Sequence, residues 1–567
     1  MSRRYDDLDP CWVSARTLCF ASTRGAMRTQ YAGVPATNLF LVDVDDPRPP
    51  VRITSDRDGA EEPAYDPARR RIVYARWWYN RHRPSRSIPG GLTTDAHAAV
   101  AGDTVNGWQA VSIDLAARDA RLAAGAVRPR RDEMGYQPCV LPNGDIAAVY
   151  AMNMGLSPSS GPLGIHRLGR SGEPVQRVAG ALIDDDQDSY GSPNGLAAPS
   201  ACSPAVLPDG RLVFAYDPGA SGDYGLYTVG LDGENPERVV DLPHTLELDP
   251  AVVVRWRGGA AGSVLARDHA STDTFTFFCR NLFASGGLKG IGPAPPIAWP
   301  LFVRFYRSRP AATASGDTID LVREEPVRPD GSIRVTGLPA DQPMFEQIVD
   351  DSGLPLLTAH GAAHVAGFNF GRPGAVVRCV GCHAGHSMLP ADGPDARFLR
   401  FDASASAEAS SSSRAPGTSG PAALVDRRLD GPIETTAWVA RRSGDEWAAL
   451  EWPMSIRLQE VVLHPVANGR DPSHVIEGCD LVLMLREGIV RRIRIGRLAG
   501  PVRLNLHDAL CDRIEVRDFH MRPNPGGSST PALAEIEAWA TLDARELAGR
   551  AAEHPRHPER DGSANRR

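Results

Sequence analysis

Cys379-Val380-Gly381-Cys382-His383 places two thiols three positions apart with an imidazole directly after the second. This is the attachment signature of a c-type haem. Each thiol can add to one porphyrin vinyl group, and two intervening residues let a single turn of chain reach both. The histidine then lies under the iron and supplies its proximal nitrogen. A Cys-x-x-Cys pair can also be a redox disulfide or half of a zinc site, or its cysteines can be inert. No second Cys-x-x-Cys and no His-x-x-x-His follows at zinc-finger spacing.

Three further histidines lie near the motif. His386 stands three residues past His383, on the same side of any bound ring, so its roles are a hydrogen bond to an iron ligand or a metal shared with His383. His360 and His364, in "AHGAAH", are far enough upstream to fold over the ring as a distal ligand. Their spacing also fits two metal ligands on one helical turn, although the glycine between them weakens a helix. Two strong iron ligands would favour electron transfer; an open sixth position would favour small-molecule redox chemistry.

Such a segment needs a scaffold, and 567 residues suffice for about three domains. Hydrophobic content of 42% and charged content of 23% are ordinary for a globular protein. A formal charge of −7 argues against a nucleic-acid surface. No uninterrupted apolar run of about 18 residues exists, so no transmembrane helix is expected. The other seven cysteines, Cys11, Cys19, Cys139, Cys202, Cys279, Cys479 and Cys511, are scattered singly and read as buried small hydrophobes. Covalent haem is attached outside the cytoplasm, which makes the expected location periplasmic or secreted. The opening MSRRYDDLDPCWVSARTLCF has acidic residues where an apolar export core would sit. The expectation is therefore an export segment encoded upstream of Met1, the alternative being a cytoplasmic protein whose motif never receives haem.

Before residue 265 one phrase recurs. Asp9-Pro10 leads into "TLCFAS", Glu62-Pro63 into "RIVYAR", Gln137-Pro138 into "LPNGDIAAVYA" and Ser203-Pro204 into "LPDGRLVFAY", with a degenerate fifth copy at Asp249-Pro250. Second strand pairs follow most copies, as in "NLFLVDVD" and "GLYTVGLDG". The period of about 45 to 75 residues suits four-stranded blades with loop insertions. Asn-Gly and Asp-Gly pairs supply positive φ for tight hairpins. Long inserts run from Trp77 to Asn106 and from Met152 to Leu163. The first carries Trp77, Trp78, Tyr79 and Arg81, which either cover a haem face or ligand, or plug the blades against a neighbouring domain. These repeats resemble those of TolB-like β-propellers.

From Arg267 to Pro390, "PLFVRFYRS" and "GSIRVTGLP" read as strands. The segments "VRPDGSIRVTGLPADQPMFEQIVDDSGLPL" and "RPGAVVRCVGCHAGHS" resemble the middle domain of hydrazine synthase α-subunit relatives. Those proteins join a propeller, a small β domain and a Cys-x-x-Cys-His motif in this order. The resemblance covers about residues 1–390 and is strongest from Pro295 to Met388. It implies one haem c held through Cys379 and Cys382, with His383 on the iron. The family's tyrosine after the motif is replaced here by His386, Ser387 and Met388, and no second Cys-x-x-Cys-His occurs. Hydrazine synthesis is therefore not an expectation.

The run "AALVDRRLDGPIETTAW" (422–438) and the ending "PALAEIEAW" (531–539) resemble the two ends of a discoidin-type, galactose-binding-like β-sandwich. Between them "EWAALEWP", "RLQEVVLHP" and "CDRIEVRD" alternate as half-buried strands. The preceding "ASASAEASSSSRAPGTSGPA" reads as a first strand rather than a linker. The resemblance implies a structural calcium at Asp426, Asp430, Thr435 and Glu535, hard oxygen donors suited to that ion. The alternative is that these residues make turn and capping contacts without metal. It also implies carbohydrate as a partner.

The expected fold is all-β: a propeller over 1–265, a small β domain with the haem motif over 266–394, a discoidin-like sandwich over 395–541 and a disordered tail over 542–567. The expected function is an extracytoplasmic c-type haem protein in electron transfer or surface redox chemistry. A haem enzyme acting on a small nitrogen or oxygen species, and a non-haem binding scaffold, are the alternatives. A redox partner protein or small-molecule substrate follows from the first two readings.

Overall fold

A computed structural model describes mainly residues 5–84, 106–124, 133–152, 163–168, 176–180, 199–253, 272–279, 300–309, 318–379 and 401–542, with short breaks inside them. The regular structure of the described residues is almost entirely β-strand, with one short 3-10 helix and one short α-helix.

Four successive four-stranded antiparallel meanders form the propeller. They begin at Asp7–Trp12, Ala60–Asp66, Glu133–Val140 and Ser200–Val206, each the first strand of a sequence copy. The register of each first pair slips at the proline: between Leu8 and Cys11, Glu61 and Ala64, Tyr136 and Cys139, and Cys202 and Ala205. Proline cannot donate to the ladder, so a bulge is where a strand tolerates it. The residue before each proline takes a left-handed backbone, with φ of 52° at Asp9, 53° at Glu62, 46° at Gln137 and 53° at Ser203. Asp249 repeats this with φ of 50°, but residues 251–253 form no strand, so the fifth copy keeps the bulge conformation alone. Gly144 and Gly210 have φ of 81° and 90°, as the Asn-Gly and Asp-Gly turns require.

Two three-stranded sheets make the middle region. Thr274–Cys279 lies between Ile333–Pro339 and Val376–Cys379, and Leu301–Arg309 lies between Thr318–Pro326 and Met344–Asp350. Strict alternation buries Phe275, Phe277 and Cys279 on one sheet and Leu301, Val303 and Phe305 on the other. Phe277 and Phe305 meet edge to face at 5.0 Å between ring centres, joining the two sheets.

In the last region the long strands Trp447–Pro465 and Val502–Met521 are broken by bulges, for example between Leu458 and Glu460. The segment read as a first strand supplies one: Glu408–Ser411 pairs with Trp447–Pro465. Trp438 is completely buried, and its indole N–H donates to Ser413 O at 2.9 Å. Trp452 likewise donates to Ala403 O at 2.8 Å. The apolar core is continuous from Phe277 and Val303 in the middle region to Trp438 and Leu481 here. Residues 543–567, expected as a tail, lie outside the described residues.

Candidate functional site

The haem-motif segment grows out of the middle region. Val376–Cys379 runs parallel to Thr274–Cys279, with Phe277 opposite Val377 and Cys279 opposite Cys379. Val377 is buried and Val376 exposed, the alternation of a strand with one face in a core. The strand therefore delivers the backbone of Cys379 to the edge of a packed sheet. Cys382, His383 and His386 lie outside the described residues, as do His360 and His364. Around the last two, Leu357–Thr358 pairs antiparallel with Gly361–Ala362.

The stretch just before the motif is clamped to the propeller. Gly367 sits against the Trp78 ring so closely that a Cβ there would lie 2.2 Å from it. Asn80 donates from Nδ2 to Val365 O at 3.4 Å. The His82 and Phe345 rings lie parallel at 6.2 Å, and Phe345 packs on Tyr306 and Phe368. Phe370 enters the propeller core beside Val13 and Ile53. Of the two roles considered for the aromatic insert, Trp78 therefore takes the second: it plugs the blades against the neighbouring domain. Trp77 instead stacks on Trp108 at 5.4 Å between ring centres. A fully buried guanidinium reinforces the join, since Arg57 donates from Nε to Ser308 Oγ at 3.0 Å and also to Arg28 O. Asp341 adds a bridge to Arg372 at 2.6 Å and accepts from Ser55 Oγ at 3.3 Å.

A second cluster of titratable groups was not anticipated from sequence. The five left-handed residues that precede proline hydrogen-bond to one another across copies. Glu62 N–H donates to Asp9 Oδ2 at 3.2 Å, and Gln137 Nε2 donates to Glu62 Oε1 at 3.3 Å and Ser203 Oγ at 3.4 Å. Ser203 N–H donates to Gln137 Oε1 at 2.9 Å, and its hydroxyl donates to Asp249 Oδ1 at 2.6 Å. Glu61 accepts from Tyr136 Oη and from Thr37 Oγ1. Burial, then the negative charge of Asp9, pushes Glu62 up to about 8. Burial also raises Asp9, with Asp249 adding to the effect. Glu61 is raised by burial against the opposing hydrogen bonds of Tyr136 and Thr37. The signal in sequence was the polar residue before every proline; what it lacked was any indication that these side chains converge.

The cysteines outside the motif behave as the sequence suggested. Cys19, Cys139, Cys279, Cys479 and Cys511 are buried, and Cys11 and Cys202 are half-buried. Burial pushes Cys139, Cys479 and Cys511 up to about 12, which keeps them protonated and unreactive.

In the sandwich, Asp426 uses Oδ1 to cap Arg428 N–H at 2.9 Å, and the Thr435 hydroxyl donates to Pro432 O at 3.0 Å. Glu535 is buried and lies opposite His464 in the ladder. Asp430 is outside the described residues. Among the described residues, no group of three or more His, Cys, Asp or Glu side chains is arranged to hold a metal. No helix of the described residues is long and apolar enough to cross a membrane.

No family model matches the chain, and no curated protein matches it. Among solved structures it is similar to Kuenenia stuttgartiensis hydrazine synthase, with a TM-score of 0.44 and 16% identity over 68% of this chain and 54% of that one. The chain thus spans about half the length of that structure. A Streptococcus pneumoniae fucose binding module is similar to 25% of this chain over 96% of its own length, at 16% identity and a TM-score of 0.22. The family 32 carbohydrate-binding module of C. perfringens NanJ, in complex with galactose, covers 24% of this chain and 93% of its own, at 9% identity and a TM-score of 0.19.

Proposed function

We propose that this protein holds one haem c through Cys379 and Cys382, with His383 as an axial ligand, and acts outside the cytoplasm in electron transfer or surface redox chemistry. The observation that carries this reading is the Cys-x-x-Cys-His spacing immediately following a strand anchored in a packed sheet. A covalent clamp works best on a fixed support, and the Thr274–Cys279 strand supports its first cysteine. Each Cys S–H would add across one vinyl C=C, so attachment needs reduced thiols and no net electron transfer. The bound iron supplies one-electron chemistry, while the protein supplies position, axial ligation and burial. Candidates for a ligand on the opposite face are His360 and His364, with His386 hydrogen-bonding near His383.

The partner of such a site is a redox protein or a small nitrogen or oxygen species. Carbohydrate is proposed as a partner of the C-terminal sandwich. Calcium held by Asp426, Asp430, Thr435 and Glu535 is proposed there as well, with hard oxygen donors as its support.

Protein from a host with haem-attachment machinery tests the reading. Haem should survive acid-acetone extraction and stain on a denaturing gel. Low-spin iron would indicate two strong ligands and electron transfer; high-spin iron with turnover of hydroxylamine, nitric oxide or peroxide would indicate an enzyme. Cys382→Ala should leave at most one thioether. His383→Ala should keep attached haem but change its spin state, and an unchanged spectrum would reject His383 as ligand. An unstained band would favour the binding scaffold.

A further inference from the structure

Hydrogen bonds link the pre-proline residues in a row from Asp9 through Glu62, Gln137 and Ser203 to Asp249, and the electrostatic effect of Asp249 on Asp9 completes a cycle between parts of the chain distant in sequence. Asp9 belongs to the first copy and Asp249 to the last, yet each acts electrostatically on Glu62 of the second, and Asp249 acts on Asp9. Between them run the hydrogen bonds of Gln137 and Ser203. All five residues take the left-handed conformation, four of them at β-bulges, a conformation that costs energy for a non-glycine residue and survives only where the surroundings impose it. Its repetition in every copy indicates that meeting at this place is what the bulges achieve.

The groups facing Glu62 can be named element by element. Asp9 and Cys11 stand on the first strand of copy one, and Glu61 on its own strand. Tyr136 and Gln137 come from copy three, Cys202 and Ser203 from copy four, and Asp249 from the segment after Glu237–Val240. All are acidic or neutral. No cation is among the influences on Glu62. Three carboxylates of the cycle and the adjacent Glu61 therefore crowd one place with only amide, hydroxyl and thiol partners. Like charges so placed cannot all ionise together at low cost.

We propose that this cycle is a proton-held clasp that closes the propeller, with Glu62 carrying the proton, so that closure between the first and last copies weakens as pH rises. With Glu62 neutral, Asp9 and Asp249 have one fewer negative neighbour, and Glu62 can still accept from Gln137. When Glu62 loses its proton, the repulsion acts across the junction of the first and last copies. That junction is the weak point of any ring made from one chain.

The sign follows from linkage. The folded-state value of Glu62, about 8, lies above its ordinary 4.5. The folded protein therefore binds more protons than the unfolded chain between those values. Stability from this group is full below about 4.5 and is lost as pH rises through about 8. Asp56, pushed up to about 7 by burial against the opposing effects of Arg76 and Tyr74, titrates separately.

The test compares full-length wild type with Glu62→Gln, which imitates the protonated form and cannot ionise. Melting temperatures should lie closest together near pH 4 and diverge as pH rises, with the variant more stable by about 5 °C at pH 9. Asp56 is common to both, so the difference isolates Glu62. A melting difference that is constant between pH 5.5 and 9 would overturn the proposal. Infrared spectroscopy provides an independent readout at pH 6.5, where the wild-type-minus-variant difference should show one additional protonated-carboxyl band, the Asp56 band cancelling. Identical spectra would equally refute it. Hydrogen-exchange protection, relative to the intrinsic rate at each pH, should be lower at pH 9 than at pH 6.5 in Asp7–Trp12 and residues 245–250 and be restored by the substitution; an equal change in protection across the four meanders would contradict a clasp.

Discussion

In the propeller Glu61 and Glu62 meet hydroxyl and amide partners, whereas several acids of the C-terminal sandwich meet arginines. Asp480 pairs with Arg492 at 3.5 Å and Arg494 at 3.0 Å. Glu515 pairs with Arg513 and Arg517, both at 3.3 Å, and Glu477 accepts from Arg522 Nε at 2.6 Å. Glu537 stands between the two cases. Burial alone would raise it, but hydrogen bonds from His464 and Trp539 hold it below the ordinary range. The comparison shows that burial does not decide the charge of a carboxyl group by itself. Burial without a nearby cation raises Glu62, and strong donors hold Glu537 down. Glu62 and Glu537 should therefore respond to pH in opposite directions.

The largest way to break this contrast is to damage one region while leaving the other intact. Trp438→Ala should destabilise the sandwich by about 3–5 kcal/mol, through the cavity and the orphaned Ser413 carbonyl. Denaturant unfolding measures it, and the pH response of the propeller should be retained. Gly367→Ala acts at the join. Its Cβ would meet the Trp78 ring at 2.2 Å, for an expected cost of about 1–3 kcal/mol or more. Limited proteolysis should then reveal faster cleavage on either side of residue 367.

His464→Ala sharpens the comparison, because Glu537 has a depressed value and its sign is the reverse of Glu62. Its contribution is present above the ordinary carboxylate range and lost as pH falls through the folded value. Removing His464 should cost about 1 kcal/mol near neutrality and less in acid, as seen by unfolding at pH 7 and pH 3.5. The smallest effect belongs to Arg503→Ala. Its bridge to Glu460, at 2.8 Å, is largely exposed on the arginine side, so the loss should be below about 1 kcal/mol and vanish in high salt.

Much of this architecture could be read from the residues. Asn143-Gly144 and Asp209-Gly210 announced the turns that the glycines then made, whereas the bulges at the prolines required the ladder register. Strand alternation in "PLFVRFYRS" anticipated the buried Leu301, Val303 and Phe305. These are local patterns, set by backbone sterics and a two-residue period. The meeting of Asp9 with Asp249 was not legible, because it depends on ring closure over most of the propeller rather than on neighbouring residues. Arg57 was equally hidden: a solvated arginine and a fully buried one look alike until Ser308 arrives from another region. His360 and His364 lie outside the described residues, next to the short strand pair Leu357–Thr358 and Gly361–Ala362. The motif itself was legible as chemistry, since the reach of two thiols to two vinyl groups is fixed by spacing. Its support by Thr274–Cys279 required the fold.

The most direct measurement is intact and peptide mass spectrometry on protein made with haem-attachment machinery. The account expects the peptide spanning Cys379 to His383 to carry one haem through two thioether bonds. Recovery of both cysteines as free thiols, or bound to zinc in native spectra, would contradict it.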